Sequence, residues 1–173
     1  MTVLLGPSRW KQPARPRSAM ISGMDDVSEP RTDLETRADI ERLVRAFYEQ
    51  ALADTMIGYL FTDVAKLDLE AHVPEITDFW ETILLGARSY SGGAFAPHAA
   101  LHHKSPLRAG HFERWLQLWR ATVDGMYAGP HAELAKSHAL RVARAFHGRL
   151  QTMPSQAYKS TPGLQVLTHQ PED

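Results

Sequence analysis

The sequence predicts an all-α fold. Four segments repeat their apolar residues with a period near 3.6, the mark of helices with one buried face. No stretch of four or more residues alternates cleanly with a bias to β-branched side chains, so no sheet is expected. Breaks at Gly86, Ser91-Gly92-Gly93 and Gly129-Pro130 separate the periodic segments. Helices of about 18–20 residues span roughly 27–30 Å, long enough to enclose a core and something wedged into it.

The first helix is expected from Leu34 to Asp54, with Asp33 as its cap and Ile40, Leu43, Val44, Phe47, Ala51 and Leu52 on one stripe. Thr55 to Thr62 reads as a short hydrophobic connector. A second helix is expected from Ala65 to Leu85, with Val73, Ile76, Trp80, Ile83 and Leu84 inward and Gly86 as its end. Pro74 lies inside it, which predicts either a kink or a helix that starts near Pro74 after a separate turn. Residues 87–108 break the pattern, and Pro97 and Pro106 limit any helix there to about two turns. A third helix follows from Gly110 to Tyr127, with Phe112, Trp115, Trp119, Val123 and Met126 on its stripe. A fourth runs from His131 to Leu150, with Leu134, His138, Val142, Ala145 and Phe146 inward.

Composition sets the flanks. Residues 1–33 hold four prolines and residues 151–173 three, both without a sustained apolar period, so they read as a disordered N-terminal extension and a flexible C-terminal tail around a domain at 34–150. The 173-residue chain carries 19 Lys and Arg against 20 Asp and Glu, a net charge of −1, which excludes nucleic-acid or anionic-membrane binding driven by bulk charge. No run approaches the ~18–20 apolar residues of a membrane helix. The only apolar stretch near the start, Val3-Leu4-Leu5, is too short for a signal-peptide core, so a cytoplasmic location is expected. With no cysteine, disulfides, thiolate metal sites and Cys nucleophiles are excluded. Nine histidines remain as the abundant nitrogen ligands.

Three polar side chains fall on or beside apolar stripes. Tyr48 is next to Phe47 and one turn from Val44 and Leu52, His72 is one turn before Ile76, and Trp115 is on the apolar face of the third helix. Each alone is ordinarily a hydrogen-bonded core residue. Together they place more donors inside than an apolar interior satisfies, and they call for a shared acceptor. The sequence lacks GxGxxG before a helix, GxxxxGK[ST], HExxH and GxSxG. His98, His102, His103 and His111 are conceivable zinc ligands, but their spacing fits no zinc motif and no acid accompanies them.

Segment 34–150 resembles the truncated haemoglobins, and most closely their group III. The resemblance rests on Leu43-Val44-Arg45-Ala46-Phe47-Tyr48, Ile57-Gly58-Tyr59-Leu60-Phe61, His72 with Ile76 and Phe79-Trp80, Leu84-Leu85-Gly86, Tyr90-Ser91-Gly92, His98, and His111-Phe112-Glu113-Arg114-Trp115-Leu116. It implies a globin-like two-over-two helical sandwich around haem b (iron protoporphyrin IX). His98 matches the proximal histidine that would bind the iron, held by a loop before a short helix. Tyr48, Trp115 and His72 match distal groups that would hydrogen-bond a diatomic ligand, with His72 also able to gate access. Phe61 would pack on the porphyrin, and Ile76 and Phe79 would line the distal side. Lys104, Arg108, His102 and His103 are propionate candidates by proximity alone.

The function implied is reversible binding of O2, NO or CO. The alternative is redox turnover, as an NO dioxygenase or a peroxidase-like enzyme with an unidentified reductant. A haem-free globin-fold sensor or interaction module is the third reading.

Overall fold

The computed structural model describes residues 31–153. The fold is all-α, with no strand among the described residues. Helix α1 is Arg37–Ala53, α2 is Leu69–Leu85, α3 is Phe95–Lys104, α4 is Ala109–Met126 and α5 is Pro130–Gln151, with a π-helical turn at Leu60–Ala65 between α1 and α2. Helix α1 packs on α2 and α4 packs on α5; α1 then lies against α4, and α2 against α5. This is the two-over-two arrangement expected. Helix α3 closes one side, touching α5 and the π turn. The extension and tail expected at 1–33 and 151–173 lie mostly outside the described residues.

Helix α1 starts three residues later than expected for a helix capped by Asp33, because Thr36 takes the cap. Its side chain accepts from the amide of Asp39, and the Asp39 carboxylate accepts from the amide of Thr36 at 2.9 Å. Asp33 is used elsewhere. Its two carboxylate oxygens accept from the amides of His131 and Ala132, both at 2.9 Å, so it caps α5 from almost a hundred residues away. The amide of Ala128 donates to the carbonyl of Thr32 at 3.0 Å, so the packed unit begins ahead of residue 34. Gly129 makes the approach possible: a Cβ there would sit 2.5 Å from Asp33 Cγ, and its φ of 144° suits glycine alone.

The inward face of α1 is as expected, with Ile40, Leu43, Val44, Phe47, Tyr48 and Ala51 buried. Helix α2 begins at Leu69 rather than Ala65, with the Asp68 side chain accepting from the amide of Ala71. It continues through Pro74. A proline there removes the amide that would bond the carbonyl of Glu70, and Glu70 is exposed, so water can satisfy that oxygen. Helix α2 turns two lines of residues inward: Val73, Thr77, Trp80 and Leu84 are buried in the core, and His72, Ile76 and Phe79 line a cavity.

Two further expectations fail, at α3 and on α5. Residues 95–104 form a ten-residue helix in the segment read as irregular. Its proline, Pro97, lies in the first turn, where the missing amide costs nothing, so it does not limit the helix. His98 is therefore inside α3 and not on a loop before it. On α5 the closely packed residues are Ala132, Ala135, Ala139, Ala143 and Leu150, whereas Ala145, expected inward, is exposed. Small residues let α5 approach the indole of Trp119, whose N–H donates to the carbonyl of Ala135 at 3.3 Å. The larger Val142 and Phe146 sit at the cavity wall instead.

The Asp33 cap gives a direct test. Burial pushes its carboxyl up, but the amides of His131, Ala132 and Leu34 outweigh burial and hold its pKa below the ordinary 3.8. Asp33→Ala is expected to lower stability by about 1–2 kcal/mol in urea unfolding at neutral pH. The contribution is present in full above pH 3.8 and is lost as the pH falls through the lower folded-state value, so the gap between the two proteins should close in acid.

Candidate functional site

One cavity of about 220 Å3 lies between the two helix layers and α3. All seven residues singled out from the sequence line it: Tyr48 from α1, Phe61 from the π turn, His72, Ile76 and Phe79 from α2, His98 from α3 and Trp115 from α4. The structure thus brings together side chains drawn from five elements.

The π turn places Phe61. Gly58 lets the chain fold back tightly on the end of α1, since a Cβ there would meet the carbonyl oxygen of Leu52 at 2.6 Å. Asp54 fixes the same corner by accepting from the amides of Met56 and Ile57 and from Arg114 of α4 at 2.8 Å. The turn closes where the amide of Leu67 donates to the carbonyl of Phe61 at 2.9 Å. Phe61 then meets the Tyr48 ring edge-on, with centroids 5.8 Å apart.

His98 is held by its own helix. Its Nδ1 lies 2.7 Å from the carbonyl of Ala94, an acceptor only, so Nδ1 carries the proton and donates. Nε2 is left with its lone pair, on a side chain that lines the cavity. Burial lowers the pKa of His98, and His72 lowers it further against the opposing bond to Ala94, so the ring is neutral at neutral pH. Phe146 packs on it with centroids 4.8 Å apart.

The other polar groups gather on α1, α2 and α4. His72 Nε2 lies 3.1 Å from the Tyr48 hydroxyl. Burial, with the charge of Glu75 added, pushes the Tyr48 phenol up, so it keeps its proton. Burial lowers the pKa of His72, opposed by Glu75. Trp115 stacks nearly parallel to Trp119, and Trp119 stacks on Trp80 with centroids 4.5 Å apart. Trp119 uses its N–H on Ala135, whereas no hydrogen bond among the described residues takes up that of Trp115.

Glu75, Tyr90, Leu101 and Phe112 also line the cavity without having been expected there, and so does His111, which the sequence offers only as a conceivable zinc ligand. Glu75 has a legible signal in its position three residues after His72. Tyr90 lies in the segment without periodicity, and its one signal is its place in the Tyr90-Ser91-Gly92 match. The weighed zinc set is not assembled: no group of three His, Asp or Glu able to hold a metal occurs among the described residues. His111 and His102 instead accept from the amides of Arg108 and Leu107, at 3.2 and 3.1 Å, and so terminate backbone. None of Lys104, Arg108, His102 and His103 lines the cavity.

The walls suit a largely apolar group held by one nitrogen. They are mostly aromatic and aliphatic, with one neutral imidazole whose free nitrogen is fixed by its second bond and phenol, imidazole and indole groups elsewhere on the lining. No helix among the described residues is long and apolar enough to cross a membrane. No family model and no curated protein matches the sequence. Among solved structures, the group III truncated haemoglobin from Campylobacter jejuni is 24% identical, with a TM-score of 0.60 over 69% of this chain and 94% of that chain, so this protein has the fold of that globin.

Proposed function

We propose that the protein is a haem globin that binds diatomic ligands reversibly. The carrying observation is that His98, with Nδ1 tied to Ala94, lines the same cavity as Tyr48, His72 and Trp115. His98 would hold the iron of haem b through Nε2, and the bond to Ala94 would fix the ring's tautomer and raise its basicity as a ligand. Phe61, Ile76 and Phe79 would pack on the porphyrin faces and keep water out. The haem would supply an open coordination position for O2, NO or CO.

Tyr48, Trp115 and His72 would then act on whatever occupies that position. The Tyr48 phenol stays protonated and so serves as a donor, and the free indole N–H of Trp115 is a second donor. Hydrogen bonds to a group with developing negative charge contribute about 1.5–3 kcal/mol each. They act on escape more than on capture, which favours retention over rapid exchange.

His98→Gly should leave a protein that loses most of its haem on gel filtration and regains a Soret band with added imidazole. Normal haem content and an unchanged spectrum would overturn the assignment of His98. Tyr48→Phe should raise the O2 dissociation rate roughly tenfold in stopped-flow; an unchanged rate would show that the hydroxyl does not reach the ligand.

A further inference from the structure

The cavity has one carboxylate in its lining, Glu75, and nothing in the proposed ligand binding uses it. Glu75 is at the solvent edge, with 58% of its side chain exposed, and its Oε2 is 4.0 Å from Nδ1 of His72. The opposite nitrogen of the same ring is 3.1 Å from the Tyr48 hydroxyl. Three groups therefore form a line from water to the cavity: carboxylate, imidazole, phenol.

The geometry points to Glu75 as a positioning residue that sets the tautomer of His72 and, through it, the direction in which Tyr48 points its proton. The inference rests on the haem-globin reading of the cavity.

A neutral imidazole carries one proton, on either nitrogen. A carboxylate beside Nδ1 favours the Nδ1–H form. Nε2 is then a bare acceptor, and the only proton available for the 3.1 Å contact is the phenol's. Tyr48 therefore donates to His72 and turns its oxygen lone pairs to the cavity. Lone pairs repel the negative end of a bound diatomic, so in this state Tyr48 must break its bond to His72 before it can help the ligand.

The other state arises when Nε2 carries a proton. Nε2–H donates to the Tyr48 oxygen, and the phenol proton is free to point at the ligand. Protonating His72 reaches this state, as does the Nε2–H tautomer of the neutral ring. His72 meets Tyr48 from α1 and Glu75 from its own helix, and His98 lines the same cavity from α3. Burial holds His72 below the ordinary 6.5, so the ring is neutral above that pH and the first state prevails. Acid moves the system to the second. Glu75 thus weakens the grip of Tyr48 at neutral pH, and its removal should strengthen ligand retention.

The test uses the haem-loaded ferrous protein and its Glu75→Gln and Glu75→Leu variants. Glu75 is exposed, so neither change empties the core. At pH 8 both variants should release O2 more slowly than the unaltered protein, by about three- to tenfold. Lowering the pH should slow release from the unaltered protein and close the gap. The second readout is the 15N shifts of the His72 ring in the diamagnetic CO form. These should show Nδ1–H in the unaltered protein and a larger share of Nε2–H in Glu75→Leu. Equal or faster release from both variants at pH 8, or an Nε2–H ring in the unaltered protein, overturns the role of Glu75. Failure to take up haem at all would instead remove the globin reading on which it stands.

Discussion

The bond from His98 Nδ1 to the carbonyl of Ala94 is the constraint on which the site depends. An imidazole has two nitrogens and, when neutral, one proton. Committing that proton to a carbonyl within the same helix decides which nitrogen is left for chemistry and prevents the ring from turning over. The length of 2.7 Å is at the short end for such a bond, and the ring is flanked by Phe146, so both rotation and tautomer are restricted. This is why α3 matters more than its size suggests. It is a short helix with no fully buried residue, yet its turn from Ala94 to His98 supplies both partners of the bond. A loop in its place, as the prolines had suggested, would not offer an acceptor at that fixed spacing.

The layers are tied together by contacts that do not use the polar groups facing the cavity from His98, His72 and Tyr48. Asp33 joins the start of the chain's packed unit to the start of α5, Asp54 ties the corner after α1 to Arg114 of α4, and Trp119 joins α4 to α5 through Ala135. The indole column of Trp80, Trp119 and Trp115 runs between the layers. Large, flat, rigid side chains at this position hold helices at a set distance, whereas flexible aliphatic ones could collapse inward. The alanines of α5 complement them by giving the column room on one side. A cavity can persist beside such a column because its walls are fixed by contacts that do not cross it.

What could be read from the sequence follows the same division. Helices α1, α2, α4 and α5 were legible because each buries one face, and burial leaves a period. The same period put Tyr48, His72 and Trp115 on inward or adjoining positions, and the cavity lining contains all three. The errors fall where the deciding interaction spans many residues or where burial is slight. Asp33 looked like the cap of the nearest helix because spacing reveals only neighbours; its amide partners are at 131 and 132. Helix α3 has no buried residue and so no stripe, and its proline suggested a break although it stands in the first turn. On α5 the large residues carry the visible period, but the tight interface belongs to alanines, whose contribution depends on the indole opposite.

The proposed roles of His98 and of the Tyr48–His72 pair rest on one physical rule used in opposite ways. At His98 the Nδ1–H donates to a carbonyl, and a carbonyl never changes charge, so that ring's state is the same across the whole working range of pH short of its own protonation. At His72 the corresponding neighbour is a carboxylate in contact with water, at a distance where its influence is attraction rather than a bond. Such an influence is weak enough to be overridden by a proton or by a ligand with a stronger demand. A permanent acceptor on one ring and a tunable one on the other is an arrangement suited to a site in which one imidazole must stay fixed while the other adjusts.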